Sequence, residues 1–84
     1  MKKIAIVILN WNGAHMMRTY LPTVIKNSPE AEVIIADNAS SDDSLKMLAS
    51  DFPEIRTIVL DKNYGFADGY NKAFKQVKAE YLLL

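Results

Sequence analysis

Ile4-Ala5-Ile6-Val7-Ile8-Leu9, followed at once by Asn10-Trp11-Asn12-Gly13, decides how this chain folds. An apolar run without polar alternation reads as a strand covered on both faces, the pattern of a parallel sheet rather than a half-solvated antiparallel one. The run breaks at Asn10, where two short amides and a glycine able to take positive φ predict a turn. Met1-Lys2-Lys3 ahead of it imitates a secretory signal, but the apolar run is too short and no small-residue cleavage pattern follows.

The same arrangement recurs downstream. From Ala14 to Asn27, the positions Met17, Leu21, Val24 and Ile25 predict a helix with one buried face, and Pro22 predicts a kink or restart near Tyr20-Leu21. Glu32-Val33-Ile34-Ile35-Ala36, ending at Asp37, is a second buried strand. In the loop after it, Ser40 and Asp43 have capping-box spacing for a short helix whose inner side is Leu45, Leu48 and Ala49, with Phe52-Pro53 as its stop. Arg56 to Leu60 is a third strand, Asp61 to Gly65 a turn, and Phe66 to Val77 a helix with Phe66, Tyr70, Ala73, Phe74 and Val77 on one face. Tyr81 to Leu84 begins a fourth strand. Strand and helix alternating in this way predict a parallel α/β sheet with right-handed crossovers.

At 84 residues, the chain is one small domain or part of one, and its 50% apolar content predicts folding rather than disorder. Ten basic and ten acidic residues are interspersed, without the basic stripe that nucleic acid would favour. No cysteine is present, which excludes disulfides and thiolate chemistry and fits a reducing compartment. His15 is the single histidine, so neither a zinc centre nor a hydrolase triad with Ser40 or Ser41 is indicated.

In a parallel sheet all strand carboxyl ends lie on one edge, so Asn10 to Gly13, Asp37 to Ser41, and Asn63 to Gly69 should meet along one crevice. There, Asp37 either accepts from a nucleobase or ribose, or accepts loop amides and shapes the turn. Asn38 reads as a turn former and Ser40 first as a helix cap. The backbone of Leu9, Asn10 and Trp11 is placed to hold a base. The Trp11 indole is expected to pack against the sheet edge, with stacking on a ligand as the alternative. Asn63 reads as a helix cap, Gly65 and Gly69 as points of close approach, and Asp68 and Asn71 as facing either crevice or solvent. The first loop lacks the glycine patterns of nicotinamide and P-loop sites.

Val7 to Gly13, Val33 to Asp42 and Asn63 to Asn71 together resemble the amino-terminal half of family 2 glycosyltransferases with the GT-A fold, in the flavour of the rhamnosyltransferase-like branch. The resemblance implies a three-layer, Rossmann-like nucleotide-sugar subdomain, residues 1–84 being its amino-terminal fragment, ended before the family's metal-binding motif. Asp37 would accept from a uracil or thymine ring N–H, and Leu9 to Trp11 would border base and ribose. The second loop, with Asn38 and Ser40, together with Asn63, Gly65 and Asn71, would wall the ribose and diphosphate. The parent would transfer sugar from a UDP- or dTDP-linked donor to an acceptor hydroxyl with magnesium or manganese. The fragment would hold no metal, bind nucleotide weakly at most, and self-associate through surfaces normally covered. A cytoplasmic location, with the parent at the cytoplasmic membrane face, is the matching expectation. The alternatives are a nonenzymatic nucleotide-binding or protein-interaction module and a nicotinamide-dependent oxidoreductase.

Overall fold

The computed structural model describes residues 4–77 and the backbone of Glu80–Leu83. The elements are β1 (Ile4–Asn10), α1 (Ala14–Asn27), β2 (Ala31–Asp37), α2 (Ser44–Asp51), β3 (Arg56–Val59), α3 (Gly65–Phe74) and β4 (Glu80–Leu83). All neighbouring strands pair in parallel, in the order β3-β2-β1-β4. The chain winds outward from β1 to β3 and then crosses back, so that β4 lands on the other side of β1. This reversal creates a switch point between β1 and β4, the place where open α/β sheets leave a crevice.

Alternate residues of each central strand fill two separate cores, as the two-residue period of a strand requires. Ile6, Ile8, Val33 and Ile35 pack against Met17 and Leu21 of α1 and Met47 and Leu48 of α2. Ala5, Val7, Ile34 and Ala36 point the opposite way, toward Tyr70 and Ala73 of α3 and toward Val77. The result is the expected three-layer sandwich.

Several expectations are corrected in detail. Helix α1 runs unbroken through Pro22, without a restart at Tyr20-Leu21. Arg18 and Pro22 both lie on its exposed side, where water can satisfy the Arg18 carbonyl left without an amide partner. The inner face of α2 is Ser44, Met47 and Leu48, not Leu45, Leu48 and Ala49, because the helix starts later than a Ser40 cap implies. In α3, Gly69, Tyr70 and Ala73 face the sheet, whereas Phe66 is 73% exposed and sets its ring edge-on to Tyr70. Met17 is buried while Met16 is exposed, and Ile25 lies outside the core. The fourth strand spans Glu80–Leu83, and the expected extension to Leu84 lies outside the described residues.

Because both sheet faces are covered, Ile34→Ala and Ile35→Ala should each lower stability by about 2–5 kcal/mol, although the two side chains point in opposite directions. Exposed Glu32→Ala should stay within about 0.5 kcal/mol of wild type. Urea denaturation of the three variants decides this; a mild Ile34 effect would mean that α3 does not seal its face.

Candidate functional site

The loops after β1, β2 and β3 meet at one end of the sheet and are joined by side-chain hydrogen bonds. Asp37, the last residue of β2, has no exposed surface. Its Oδ1 accepts from Asn10 Nδ2 at 2.9 Å and Ser40 Oγ at 2.7 Å, and its Oδ2 accepts from the Ser40 amide at 2.9 Å. Ser40 Oγ in turn accepts from the Asn12 amide at 2.9 Å and from Asn10 Nδ2 at 3.2 Å. The hydroxyl therefore donates once and accepts twice, its full capacity.

This geometry corrects one expectation and meets another. Ser40 is not the cap of α2, since its side chain and amide both turn back to Asp37. Asp37 accepts two loop donors on Oδ1 and one on Oδ2, so its carboxylate shapes the turn and Oδ2 retains acceptor capacity. The loop-shaping reading of this carboxylate is met.

Asn38 performs the corresponding task toward the third loop. It is 2% exposed, its Oδ1 accepts from the Tyr64 amide at 2.9 Å, its Nδ2 donates to the Gly65 carbonyl at 3.0 Å, and its own amide donates to the Asn10 carbonyl at 2.8 Å. A Cβ on Gly69 would come within 3.1 Å of Asn38 Nδ2 and 3.0 Å of Leu9 Cδ1, so a side chain there would require Leu9 and Asn38 to give by a few tenths of an ångström. Asn63 is not the expected cap of α3; Tyr64 occupies the cap position instead, and Asn63, one residue earlier, accepts from the Gly65 amide through Oδ1 at 2.8 Å. Tyr64 donates its hydroxyl to Asp61, and the ammonium groups of Lys62 and Lys72 lie 5.2 and 5.1 Å from its ring centroid. The Tyr64 hydroxyl, with help from these two lysines, holds the Asp61 carboxyl below its usual range.

Asn12 and Asp42 complete the lock between the first and second loops; by sequence Asp42 suits the positive end of α2, whereas its reach to α1 and the part played by Asn12 were not foreseen. Asn12, rather than Gly13, takes the left-handed conformation, with φ of 52°. Its Oδ1 accepts from the amides of Ser41 at 2.7 Å and Asp42 at 3.1 Å. Gly13 is needed for space instead, because a Cβ there would lie 2.5 Å from Asn10 Oδ1. Asp42 accepts from the Ala14 amide at the start of α1 and from the Ser44 amide and hydroxyl at the start of α2. One carboxylate thus serves two helix N-termini. Burial by itself would raise the Asp42 carboxyl, but the Ser44 and Ala14 donors outweigh it and hold the group below its ordinary value of 3.8.

Around this buried lattice lies the accessible rim. Trp11 is 57% exposed, so the expected packing against the sheet edge does not occur. The indole stands out because every anchoring bond of its loop is made by its neighbours Asn10 and Asn12. Asn63, Gly65, Asp68 and Asn71 are also exposed, and Asn71 stands on α3 outside the hydrogen-bonded lattice. Among the described residues, no group of three or more acidic or histidine side chains gathers as a metal centre, and no helix is long and apolar enough to cross a membrane.

Ala39 sits at φ of 61°, a conformation that strains a residue bearing a Cβ. Ala39→Gly should therefore raise stability by about 1 kcal/mol in thermal denaturation, despite the added freedom of the unfolded chain. Asp42→Asn should lower it by about 1 kcal/mol at neutral pH. Because the native Asp42 value is depressed, this difference should be complete above pH 3.8 and vanish as pH falls through the native value. A difference that persists in strong acid would show that the carboxylate charge is not the source.

Solved structures with the same fold include the TarS protein of S. aureus in complex with UDP-GlcNAc, at a TM-score of 0.81 and 23% identity over all of this chain and 26% of that one. A mannosyltransferase of Pyrobaculum calidifontis in complex with GDP-Man and Mn2+ superposes at a TM-score of 0.72 and 18% identity, over 90% of this chain and 24% of that one. In sequence, the uncharacterized glycosyltransferase YfnE of Bacillus subtilis is 34% identical across 96% of this chain and 22% of its own length. The chain thus spans about a quarter of the length of these relatives. The model of glycosyl transferase family 2 matches residues 5–84, and the oxidoreductase alternative falls away. With its doubly wound sheet and loop lattice, the chain belongs to glycosyl transferase family 2.

Proposed function

We propose that these loops form the nucleotide-binding part of a longer enzyme that transfers a sugar from a nucleoside diphosphate sugar to an acceptor hydroxyl. The observation that carries this reading is the locked convergence of three strand-end loops beside the switch point, with an exposed tryptophan on its rim. Trp11 offers its face to a base, and the Leu9 to Trp11 backbone lies along base and ribose. Asn63, Gly65 and Asn71 line the ribose and diphosphate side. Asp37, Asn38 and Ser40 act from beneath, fixing the positions of those groups. The bond broken in the transfer joins the anomeric carbon to the diphosphate, so this part of the protein binds and orients the leaving group.

The donor in this reading carries uracil or thymine, and the motif flavour favours the rhamnosyltransferase-like branch. Solved relatives support a nucleotide-sugar ligand in general, since one is described with GDP-Man and another with UDP-GlcNAc. Magnesium or manganese, when bound, would neutralise the diphosphate, in keeping with the Mn2+ of the mannosyltransferase. The described residues do not themselves make that metal centre, and no step is assigned to it. A cytoplasmic donor site accords with the cysteine-free composition.

Isothermal titration of the full-length protein with uridine and thymidine diphosphates provides the test. Trp11→Ala should weaken binding by about tenfold or more, the size of one base–aromatic stack, while leaving the melting temperature unchanged. Equal affinity in the variant would remove Trp11 from the site, and preferential binding of a nicotinamide dinucleotide would overturn the reading.

A further inference from the structure

Asn12-Gly13 is the one Asn-Gly pair in the sequence, and Asn12 is exposed on the first loop beside Trp11. Asparagine is thermolabile because the main-chain nitrogen after it can attack its side-chain amide carbon, and glycine leaves that approach unhindered. The Gly13 nitrogen gives its proton to water or base, bonds to Asn12 Cγ and expels Nδ2 as ammonia, leaving a five-membered succinimide. Water opens the ring at either carbonyl. Cleavage at Cγ yields aspartate; cleavage at the main-chain carbonyl yields isoaspartate, whose main chain runs through the side-chain carbons and is one atom longer.

The folded loop restrains each group in this reaction. Asn12 has φ of 52°, and the ψ of about +50° typical of that region sets the Gly13 nitrogen nearly opposite Cβ, whereas ring closure needs the two on the same side. The Gly13 amide donates to Asn10 Oδ1 at 3.1 Å, which favours the protonated nitrogen over the attacking anion. Asn12 Oδ1 accepts from the amides of Ser41 at 2.7 Å and Asp42 at 3.1 Å, so the carbon to be attacked is turned toward the second loop. The Asn12 amide donates to Ser40 Oγ at 2.9 Å. We infer that Asn12 is a deamidation site gated by this lattice, silent while the loops interlock and reactive when the first loop detaches. The consequence for ligand binding rests on the nucleotide-site reading. Isoaspartate lengthens the main chain one residue beyond Trp11 and removes the side-chain carbonyl that holds the second loop, so nucleotide affinity falls for good. A nucleotide resting on Trp11 and the Leu9 to Trp11 backbone favours the closed loop and slows the reaction.

The experiment incubates the full-length protein in warm, mildly alkaline buffer and follows conversion of Asn12 by peptide mass spectrometry. Conversion in the folded protein should be at least about tenfold slower than in the same protein unfolded in urea. Ser40→Ala, which removes the acceptor of the Asn12 amide, should speed it about two- to tenfold. Uridine diphosphate at about ten times its dissociation constant should slow the wild type about tenfold. Equal rates in folded and unfolded protein would overturn the inference, and so would a folded Ser40→Ala protein that deamidates no faster than wild type. Should Ser40→Ala fail to fold, hydrogen exchange of the wild-type Gly13 amide should rise in step with deamidation through sub-denaturing urea; deamidation that does not follow it would overturn the inference. Titration heat without slower deamidation would overturn the link to the ligand. Wild-type protein that binds neither uridine nor thymidine diphosphate would instead refute the nucleotide-site reading, and the comparisons made without ligand would still decide whether the lattice gates Asn12.

Discussion

Burying the Asp37 carboxylate removes it from water, a change tolerated only when donors converge on both oxygens. Asn10 and Ser40 supply them, one from the end of the neighbouring strand and one from the loop that Asp37 itself begins. Each donor is then committed to a further partner: Asn10 accepts the Gly13 amide, and Ser40 accepts the Asn12 amide. The first two loops consequently have one arrangement in which every buried polar group is satisfied, and among the described residues no buried side-chain polar atom lacks a partner. Asn38 extends the same logic to the third loop, so accessible groups rest on a rigid layer beneath them.

Doubly wound topology supplies the location and the lattice supplies the shape. The sheet brings β1, β2 and β3 to a common edge, yet loops at that edge would still sample many conformations. Tying Asn10, Asp37 and Asn38 to one another reduces that freedom before any ligand arrives, and pre-ordering of this kind favours binding. Trp11 is available to a ligand because the anchoring is done by the residues on either side of it.

The fold was readable because the apolar runs Ile4 to Leu9 and Val33 to Ala36 have no polar alternation, and the helical stripes between them have a regular period. Boundaries and faces were less readable. Leu45 and Met47 are both apolar, and which of them turns inward depends on the residue at which α2 starts; that start is fixed by Asp42, itself held by Asn12 from another loop. Phe66 fits the apolar stripe of α3, but the tight seat at Gly69 rotates Tyr70 inward and leaves Phe66 at the rim. The site residues were found as a set, since position at strand ends is a property of the topology. Their roles were not: Asp37, Asn38 and Ser40 have side chains suited equally to ligands and to turns, and only three-dimensional contacts separate the two uses.

Asp42 also bears on how the chain is made. Its carboxylate caps a helix that begins at Ala14, 28 residues earlier, as well as the helix that begins beside it at Ser44. A ribosome delivers the first helix well before the residue that caps it, so for about 1–6 seconds of synthesis at about 5–20 residues per second only water serves the Ala14 amide. The bond from the Met17 amide to the Gly13 carbonyl can close the first turn on its own, and Asp42 replaces water at the Ala14 amide once β2 aligns with β1. Capping of the first helix is thereby coupled to assembly of the strand edge.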